Sequence, residues 1–512
     1  MKQKSDYLFR LLIIIIFTLL SVTSIIFSLY LFFISKNNFD LIVLSSIFLV
    51  LSLISTIFNV IMGLFYYRSY FYGNYLKKIK NEFKFNKNNL PKVSVVLLAY
   101  NEDPKLIIKN YNELLKITYP KNKINFFLSD DSTMPEIRSE LKNFCNTSNI
   151  FYIHRKENKD YKAGALNNFI KHSKDELILI FDYDEYLIDK NILLDLVPLF
   201  NDKNVSFVQT EKRYFDGNIF SDSVDLFDAF FFKFIEPARA LNNTAIFAGS
   251  CGIIRRSALD KIGGFPKNVI EDTFFSFESD LHKYKGIFIP KIYAKGKPIT
   301  KFSALAKQQI RYNYGDTQFL KYVLEKSKRS ELTFKSKLDY ISHGFGLNYL
   351  SVMLLLFTIL SIFIVFLIPF IKIPITELFN PNFINYKFEL FGIFGFLIAL
   401  VFPILLTKIY FKSIKKGIMI FILNFALIII RTKAAVYALF NKNIDLWSRR
   451  TLITKKSIVQ SISLTKMELL FSSILFSLGY FAILKSIIFG GIFLIWYGFM
   501  YISATVLFYK YG

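Results

Sequence analysis

Two aspartates separated by one residue, Asp182 and Asp184, follow the apolar run 177–181. On an extended chain residues i and i+2 share a face, so both carboxylates can address one ion. Hard oxygen donors of this kind suit Mg2+ or Mn2+ held mainly through substrate phosphates. The plainer reading is a solvated acidic turn closing a strand, and Glu185 and Asp189 nearby fit that as well. A second acidic pair, Asp130-Asp131, ends another apolar run, where it could meet a base or ribose hydroxyls. Lys162 opens the segment KAGALN, whose small residues allow close approach and whose helix N-terminus, with the lysine, favours an anion. Glu271-Asp272 follows the turn Gly263-Gly264-Phe265-Pro266 and reads as the acidic start of a Phe-rich helix. Gln308-Gln309-Ile310-Arg311-Tyr312 reads as part of an amphipathic helix just before an apolar run.

The elements that must carry these residues follow from hydrophobic pattern. Val93–Ala99 (VSVVLLA) is an unbroken β-branched and apolar run after Pro91, as in a strand buried on both faces. A helical pattern through Leu106, Ile107, Leu114 and Leu115 follows it. Then come strands at 125–128, 150–153 and 177–181, separated by helices at 135–144 and 163–170. Strands alternating with helices predict a parallel α/β sheet with right-handed crossovers. Ligands of such sheets bind beyond the carboxyl ends of the strands. Tyr100-Asn101-Glu102, Asp130-Asp131-Ser132 and Asp182-Tyr183-Asp184 all fall at such ends.

Composition sets this domain in a larger frame. The chain has 512 residues, 53% of them hydrophobic and 20% charged, with a formal charge of +25. A mean hydropathy of +0.37 is too high for an ordinary soluble protein. Disorder is excluded by 59 Phe and 30 Tyr, and two cysteines, Cys145 and Cys251, exclude a disulfide framework or a Cys-rich zinc site. The four histidines form no paired metal-ligand spacing. Uncharged apolar runs at 11–34, 41–67, 344–371, 390–407 and 486–509, with a shorter one at 469–484, predict six membrane spans. The first is too long for a signal peptide and lacks a cleavage site, so it reads as a retained anchor. The run 417–430 has 14 residues and is flanked by Lys412, Lys415 and Lys416 on one side and Arg431 and Lys433 on the other. A crossing there would place a basic cluster outside, against the positive-inside bias, so it is expected not to span. Six spans put both termini and residues 68–343 in the cytoplasm, with nearly all of the excess positive charge. That explanation leaves nucleic-acid binding without support, since no basic recognition helix or aromatic-basic motif is present.

Taken in order, AYNED, SDDS, KAGALN, DYD, AGSCGIIRR, IED and QQIRY, spread from Ala99 to Tyr312, make the chain similar to membrane-embedded family 2 glycosyltransferases of the cellulose synthase and hyaluronan synthase type. The resemblance implies a helical membrane bundle of about six spans plus interfacial helices, carrying a cytoplasmic α/β domain of the GT-A type. It implies that Tyr100, Glu102, Asp130 and Asp131 hold the nucleotide of a UDP-sugar, that Lys162 contacts the donor, and that Asp182 and especially Asp184 hold its diphosphate through Mn2+ or Mg2+. Asp272 takes the place of the family's general base, with Glu271 before it. Gln308 and Arg311 match the family's QxxRW motif, and Tyr312 stands where that motif has tryptophan. Phe247, Gly249 and Ser250 match the segment that lines the acceptor terminus.

Three departures stand out. IED replaces TED through Ile270, IFAGS replaces FFCGS so that Cys251 receives no role, and Tyr312 offers a smaller aromatic platform than indole. Trp447-Ser448-Arg449-Arg450-Thr451 and Thr454-Lys455-Lys456 resemble gating-loop motifs of these synthases. The expected organisation is two spans in 1–67, the transferase domain in 68–343, and a membrane region in 344–512 with a re-entrant segment at 417–440 and a gating loop at 441–466. No counterpart of the cyclic-di-GMP sensor of bacterial cellulose synthase is expected after the last span. The implied activity is inverting transfer to a growing β-linked polysaccharide, coupled to export through the plasma membrane. Two alternatives remain at this point: single transfer to a lipid or other membrane acceptor, and a transporter whose cytoplasmic domain only binds nucleotide. The transporter reading predicts ionisable residues within the spans, and the five longer runs contain none.

Overall fold

The computed structural model describes scattered positions between 10 and 32 and residues 39–82, 90–367, 404–442, 457–484 and 488–512. Among these, ten strands form β1 (Val93–Ala99), β2 (Ile124–Asp130), β3 (Phe151–His154), β4 (Leu177–Asp182), β5 (Glu185–Leu187), β6 (Val205–Thr210), β7 (Arg213–Tyr214), β8 (Gly252–Arg255), β9 (Lys285–Ile289) and β10 (Ala294–Gly296). Seven make one sheet in the order β3-β2-β1-β4-β8-β6-β9, and β5-β10-β7 make a small second sheet.

The continuous apolar runs are explained by burial on both faces. All seven residues of β1 are buried. Its alternate side chains divide between two cores. Val95 and Leu97 pack with Ile107, Tyr111 and Leu114 of helix Pro104–Leu114, whereas Val96 and Leu98 pack with Ala163, Leu166 and Phe169 of helix Tyr161–His172. Truncating such a buried aliphatic side chain costs roughly 2–5 kcal/mol, which is why these positions read so plainly in the sequence.

The sheet is mixed rather than wholly parallel. Strand β8 runs antiparallel to both β4 and β6. Before it the chain turns through Gly249 and Cys251, both at positive φ (+84° and +52°), and then re-enters the sheet in reverse. A strand that starts where its neighbours end places the turn 247–251 at their carboxyl ends, beside DYD. The short run GIIR carries no sign of direction, so neither its reversal nor the small second sheet is legible from pattern.

Helix Glu271–Leu281 follows the Gly263-Gly264 turn (φ +91° and +100°). That turn is clamped by Asn167, which donates to the carbonyl of Phe265 (2.9 Å) and accepts its N–H (2.8 Å). Ile270 inserts beneath helix Phe302–Lys326 at Gly315, where a methyl group would approach it to 2.8 Å, and joins Phe274, Phe319 and Tyr340. The isoleucine of IED is therefore an apolar anchor for the segment that carries Asp272.

Among the described residues three helical segments are long and apolar enough to cross a membrane, Leu49–Ile79, Lys466–Leu484 and Gly491–Tyr511. They become four if Ile414–Ala426 and Ile428–Leu439, bent by 46°, form one broken span; the other reading of that pair is a re-entrant loop. The expectation of six spans is thus met in part. The shorter run 469–484 is among the three, and the bend falls at Leu427 within the run expected not to cross. The run 344–371 lies on helix Phe334–Leu367, broken at Gly346, and its last residues lie outside the described residues. Runs 11–34 and 390–407 lie largely outside them too, as do the gating-like motifs at 447–456.

Candidate active site

Sheet register brings the polar strand ends level, with Ala99 opposite Asp130 and Leu98 opposite Asp182. Across this rim, Lys162 at the start of helix Tyr161–His172 donates to Oδ1 of Asp182 at 2.6 Å. Burial alone would raise the Asp182 carboxyl, but Lys162 and Lys212 beside it hold it below the usual carboxylate range. The third partner comes from helix Glu271–Leu281, which packs in the same core as helix Tyr161–His172. A methyl group built on Gly249 would lie 2.8 Å from Oδ2 of Asp272 and 3.4 Å from Nζ of Lys162. Glycine at 249 lets these two groups meet over bare backbone. Asp272 accepts the N–H of Thr273 through Oδ1 (2.8 Å), leaving Oδ2 turned toward the site.

The charge distribution around that point is uneven. Burial, with Glu185 and Asp182 adding to it, pushes Asp184 up to about 7. Glu102 is likewise pushed up to about 7, chiefly by burial, with Asp184 and Asp130 contributing. Burial also raises Glu271, to about 7 with Asp272 adding, and raises Asp272 itself against the pull of Lys162 and Arg311. Buried acids interleaved with Lys162 and Lys212 make this point a candidate site for a charged ligand.

Other expected residues stand further back. Asp130 is fully buried and bonded to the Tyr152 hydroxyl (2.7 Å) and the Ser132 N–H (2.9 Å). Asp131 is gripped by both Nε and Nη2 of Arg155 (2.7 and 2.6 Å). Tyr100 is exposed, and its N–H donates to Glu102. Gln308 donates to the Tyr312 hydroxyl at 3.3 Å, and the Arg311 guanidinium lies 5.4 Å from the centre of the Tyr312 ring. Phe247 departs from expectation. Its side chain is wholly enclosed between Phe207 and Phe275, so it offers no surface to an acceptor. Ser250 is equally buried, its hydroxyl bonded to Lys212 and Glu185, and of the three only Gly249 lies against Asp272 and Lys162.

Sequence pattern does not single out Arg155, Lys212 or the structural use of Glu185. Arg155 follows β3 directly and Lys212 follows β6 by two residues, so both obey the same strand-end rule that picks out the aspartates. Glu185 looks in the sequence like one more acid of a solvated loop. Instead it is buried, accepting from Ser250 (2.7 Å) and from the N–H of Asp182 (2.9 Å).

Residues 94–263 match the family model described as glycosyl transferase family 2. The chain carries a family 2 glycosyltransferase domain. Its curated relatives include cellulose synthase catalytic subunits and a glucomannan mannosyltransferase. The chain is 27% identical over 238 residues to the cellulose synthase catalytic subunit (UDP-forming) of Pseudomonas fluorescens, covering 45% of this chain and 32% of that one. It is 27% identical over 268 residues to glucomannan 4-beta-mannosyltransferase 7 of Arabidopsis thaliana, covering 50% and 48%. The matched segment thus spans 32% of the length of the bacterial subunit. A solved mannosyltransferase of Pyrobaculum calidifontis, in complex with GDP-Man and Mn2+, superposes with a TM-score of 0.48 at 16% identity, over 73% of this chain and 95% of that one.

Within the transferase domain the donor set can be tested for a cation. Among the described residues no three His, Cys, Asp or Glu side chains converge as a ready-made metal cage. Asp182 is already matched by Lys162, whereas burial, with Glu185 and Asp182 adding to it, pushes Asp184 up to about 7, so that a divalent ion would favour its ionised form. That combination fits an ion held by one carboxylate and completed by substrate phosphates.

Proposed function

We propose that this chain is an inverting glycosyltransferase that adds sugar from a UDP-sugar to a growing β-linked polysaccharide. It works at the cytoplasmic face of the plasma membrane and passes the product outward through its own helices. One observation carries the reading: Asp272 and Lys162 meet over Gly249, and Lys162 bonds in turn to Asp182, so that three separate elements are linked at one point.

In this mechanism Tyr100, Glu102 and the Asp130-Asp131 corner receive the nucleotide, and Lys162 binds on the diphosphate side. Asp184, assisted by Asp182, would hold Mn2+ or Mg2+, which supplies Lewis-acid neutralisation of the leaving diphosphate. Asp272 Oδ2 takes the proton of an acceptor hydroxyl as its oxygen bonds to the anomeric carbon, and the carbon–diphosphate bond breaks on the opposite face. One displacement converts an α-linked donor into a β-linkage. Lys162 and Arg311 stabilise charge growing on the departing phosphate, which is commonly the largest catalytic contribution. Glu271, Gly249 and Tyr312 border the acceptor, with Gln308 and Arg311 linking it to the donor. Residues 1–67 and 344–512 provide the membrane part and 68–343 the catalytic part, both termini being cytoplasmic.

The test is release of UDP by the purified full-length protein in lipid with a panel of UDP-sugars and Mn2+, with and without EDTA. Sizing and linkage-specific digestion of the product accompany it. UDP release that EDTA abolishes, with long digestible chains, supports the reading. A single addition product would replace the polymer with a lipid or other membrane acceptor, and no release from any donor would reduce the domain to a nucleotide-binding module.

A further inference from the structure

A second lysine, Lys212, stands near Asp182 as Lys162 does. Lys212 donates through Nζ to the Ser250 hydroxyl at 2.6 Å and lies 3.2 Å from Oε1 of Glu185. Ser250 in turn donates to the same Oε1 at 2.7 Å. The other oxygen of Glu185 accepts the backbone N–H of Asp182 at 2.9 Å. Three segments distant in sequence are therefore joined at one point: the tail of β6, the turn 247–251, and the end of β4. Gln209 on β6 holds the same turn at its backbone, donating to the carbonyl of Ser250 (3.1 Å) and accepting the N–H of Ala248 (2.8 Å). The residue between those two is Gly249, against which Asp272 and Lys162 pack.

Such a cluster is costly. The side chain of Glu185 is 5% exposed and that of Lys212 20%, and a pair this deep gains little net stability over apolar groups of the same shape. Its geometric effect is larger than its stabilising one. The cluster sets the separation between the backbone of Asp182, on the donor side, and the turn that faces the carboxylate of Asp272. A displacement reaction is sensitive to that separation, because a misplacement of about 1 Å can cost roughly 10²-fold in rate.

We propose that Lys212 and Glu185 are positioning residues for the transfer: with Ser250 they form a brace that fixes the turn at Gly249, and with it the acceptor-side base, against the donor-side end of β4. This rests on the roles given above to Asp272 and Asp182. Neither residue of the brace touches substrate in this scheme. Lys212 acts through Ser250, and Glu185 acts through the Asp182 amide.

The experiment uses the full-length protein in lipid and compares wild type with Lys212→Met, Lys212→Arg and the double variant Glu185→Gln/Lys212→Met. Thermal unfolding, donor KM and kcat from UDP release are measured for each. In Lys212→Met, kcat falls about tenfold or more while donor KM stays within about threefold, the pattern of lost orientation rather than lost binding. Lys212→Arg recovers part of kcat. The double variant removes both charges and regains thermal stability without regaining kcat. A double variant that is as stable and as fast as wild type overturns the proposal, as does a folded Lys212→Met with wild-type kcat. Should Lys212→Met not fold, the kcat of the double variant decides between the same two outcomes. Wild-type protein that releases no UDP from any donor would sink the functional reading instead, so the two failures are told apart.

Discussion

Lys162 Nζ lies 2.6 Å from Asp182 Oδ1, joining the first turn of one helix to the last residue of the strand beside it. The pair leaves Asp182 ionised, chiefly against the effect of its own burial, and presents the ammonium to whatever anion enters. Replacing Lys162 by Met removes that neutralising charge and leaves the carboxylate without its nearest partner. UDP affinity, measured by calorimetry, is expected to fall about tenfold or more, equivalent to ~1.4 kcal/mol. Unchanged affinity would mean that the lysine only holds the strand end in place.

Gly249 separates Lys162 from Asp272, and its φ of +84° is unfavourable for any side chain. Gly249→Ala would add a methyl group 2.8 Å from the Asp272 carboxylate. The backbone penalty alone is of order 1 kcal/mol. Transfer is expected to drop by a much larger factor than stability, since the base is the group displaced. Retained turnover together with a lowered unfolding temperature would show that Asp272 tolerates movement.

Gly164 has a similar use beside Arg155, at the corner proposed to receive the nucleotide. A Cβ there would collide with the Arg155 guanidinium and the Lys159 carbonyl. Arg155 is the bidentate partner of Asp131. Gly164→Ala and Arg155→Gln should therefore produce the same defect, weaker UDP binding with kcat at saturating donor less affected. If only Arg155→Gln weakened binding, Gly164 would have no part in placing the guanidinium.

These cases mark what the amino-acid sequence alone reveals. Strands β1 and β4 are plain in it because both of their faces are buried, so nearly every residue has to be apolar. The site residues at their ends are plain because hydrophobic runs stop abruptly at Tyr100, Asp130 and Asp182. Arg155 and Lys212 are not, although they too follow strands, because the short strand before Arg155 is half exposed and basic residues are abundant throughout this chain. Phe247 is misplaced for a different reason. A motif fixes which residues are neighbours in sequence, but only the reversal at Gly249 decides which of them face the site. Direction also escapes β8, a four-residue strand with three buried positions and no pattern that distinguishes one direction from the other.

Acidity should act on stability through Glu236, which accepts the N–H of Ile246 deep in the domain. Burial, opposed by Arg239, pushes its carboxyl up from an ordinary 4.5 to about 8. The native state therefore holds this proton where the unfolded chain has released it. Its favourable contribution is complete below 4.5 and is lost as pH rises through about 8. Glu236→Gln should flatten the fall of unfolding temperature between those limits and raise it most at the alkaline end. An equal fall in wild type and variant would show that the proton is held by other groups.

Asp272 carries the decisive prediction. Its Oδ2 faces Gly249, its Oδ1 is occupied by the Thr273 amide, and Ile270 anchors the helix start on which it stands. Asparagine preserves the shape and the bond from Thr273 while removing the capacity to take a proton. Asp272→Asn should accordingly bind UDP as wild type does and lose about 10²–10⁴-fold in transfer, the range a positioned general base supplies. Ile270→Thr offers the control, because it keeps the carboxylate and disturbs only its anchor among Phe274, Phe319 and Tyr340. A modest loss of activity accompanied by lower stability is expected there. If Asp272→Asn turned over at the wild-type rate, proton removal would have to be assigned to Glu271, the next acid on the same turn, and Glu271→Gln would then carry the loss instead.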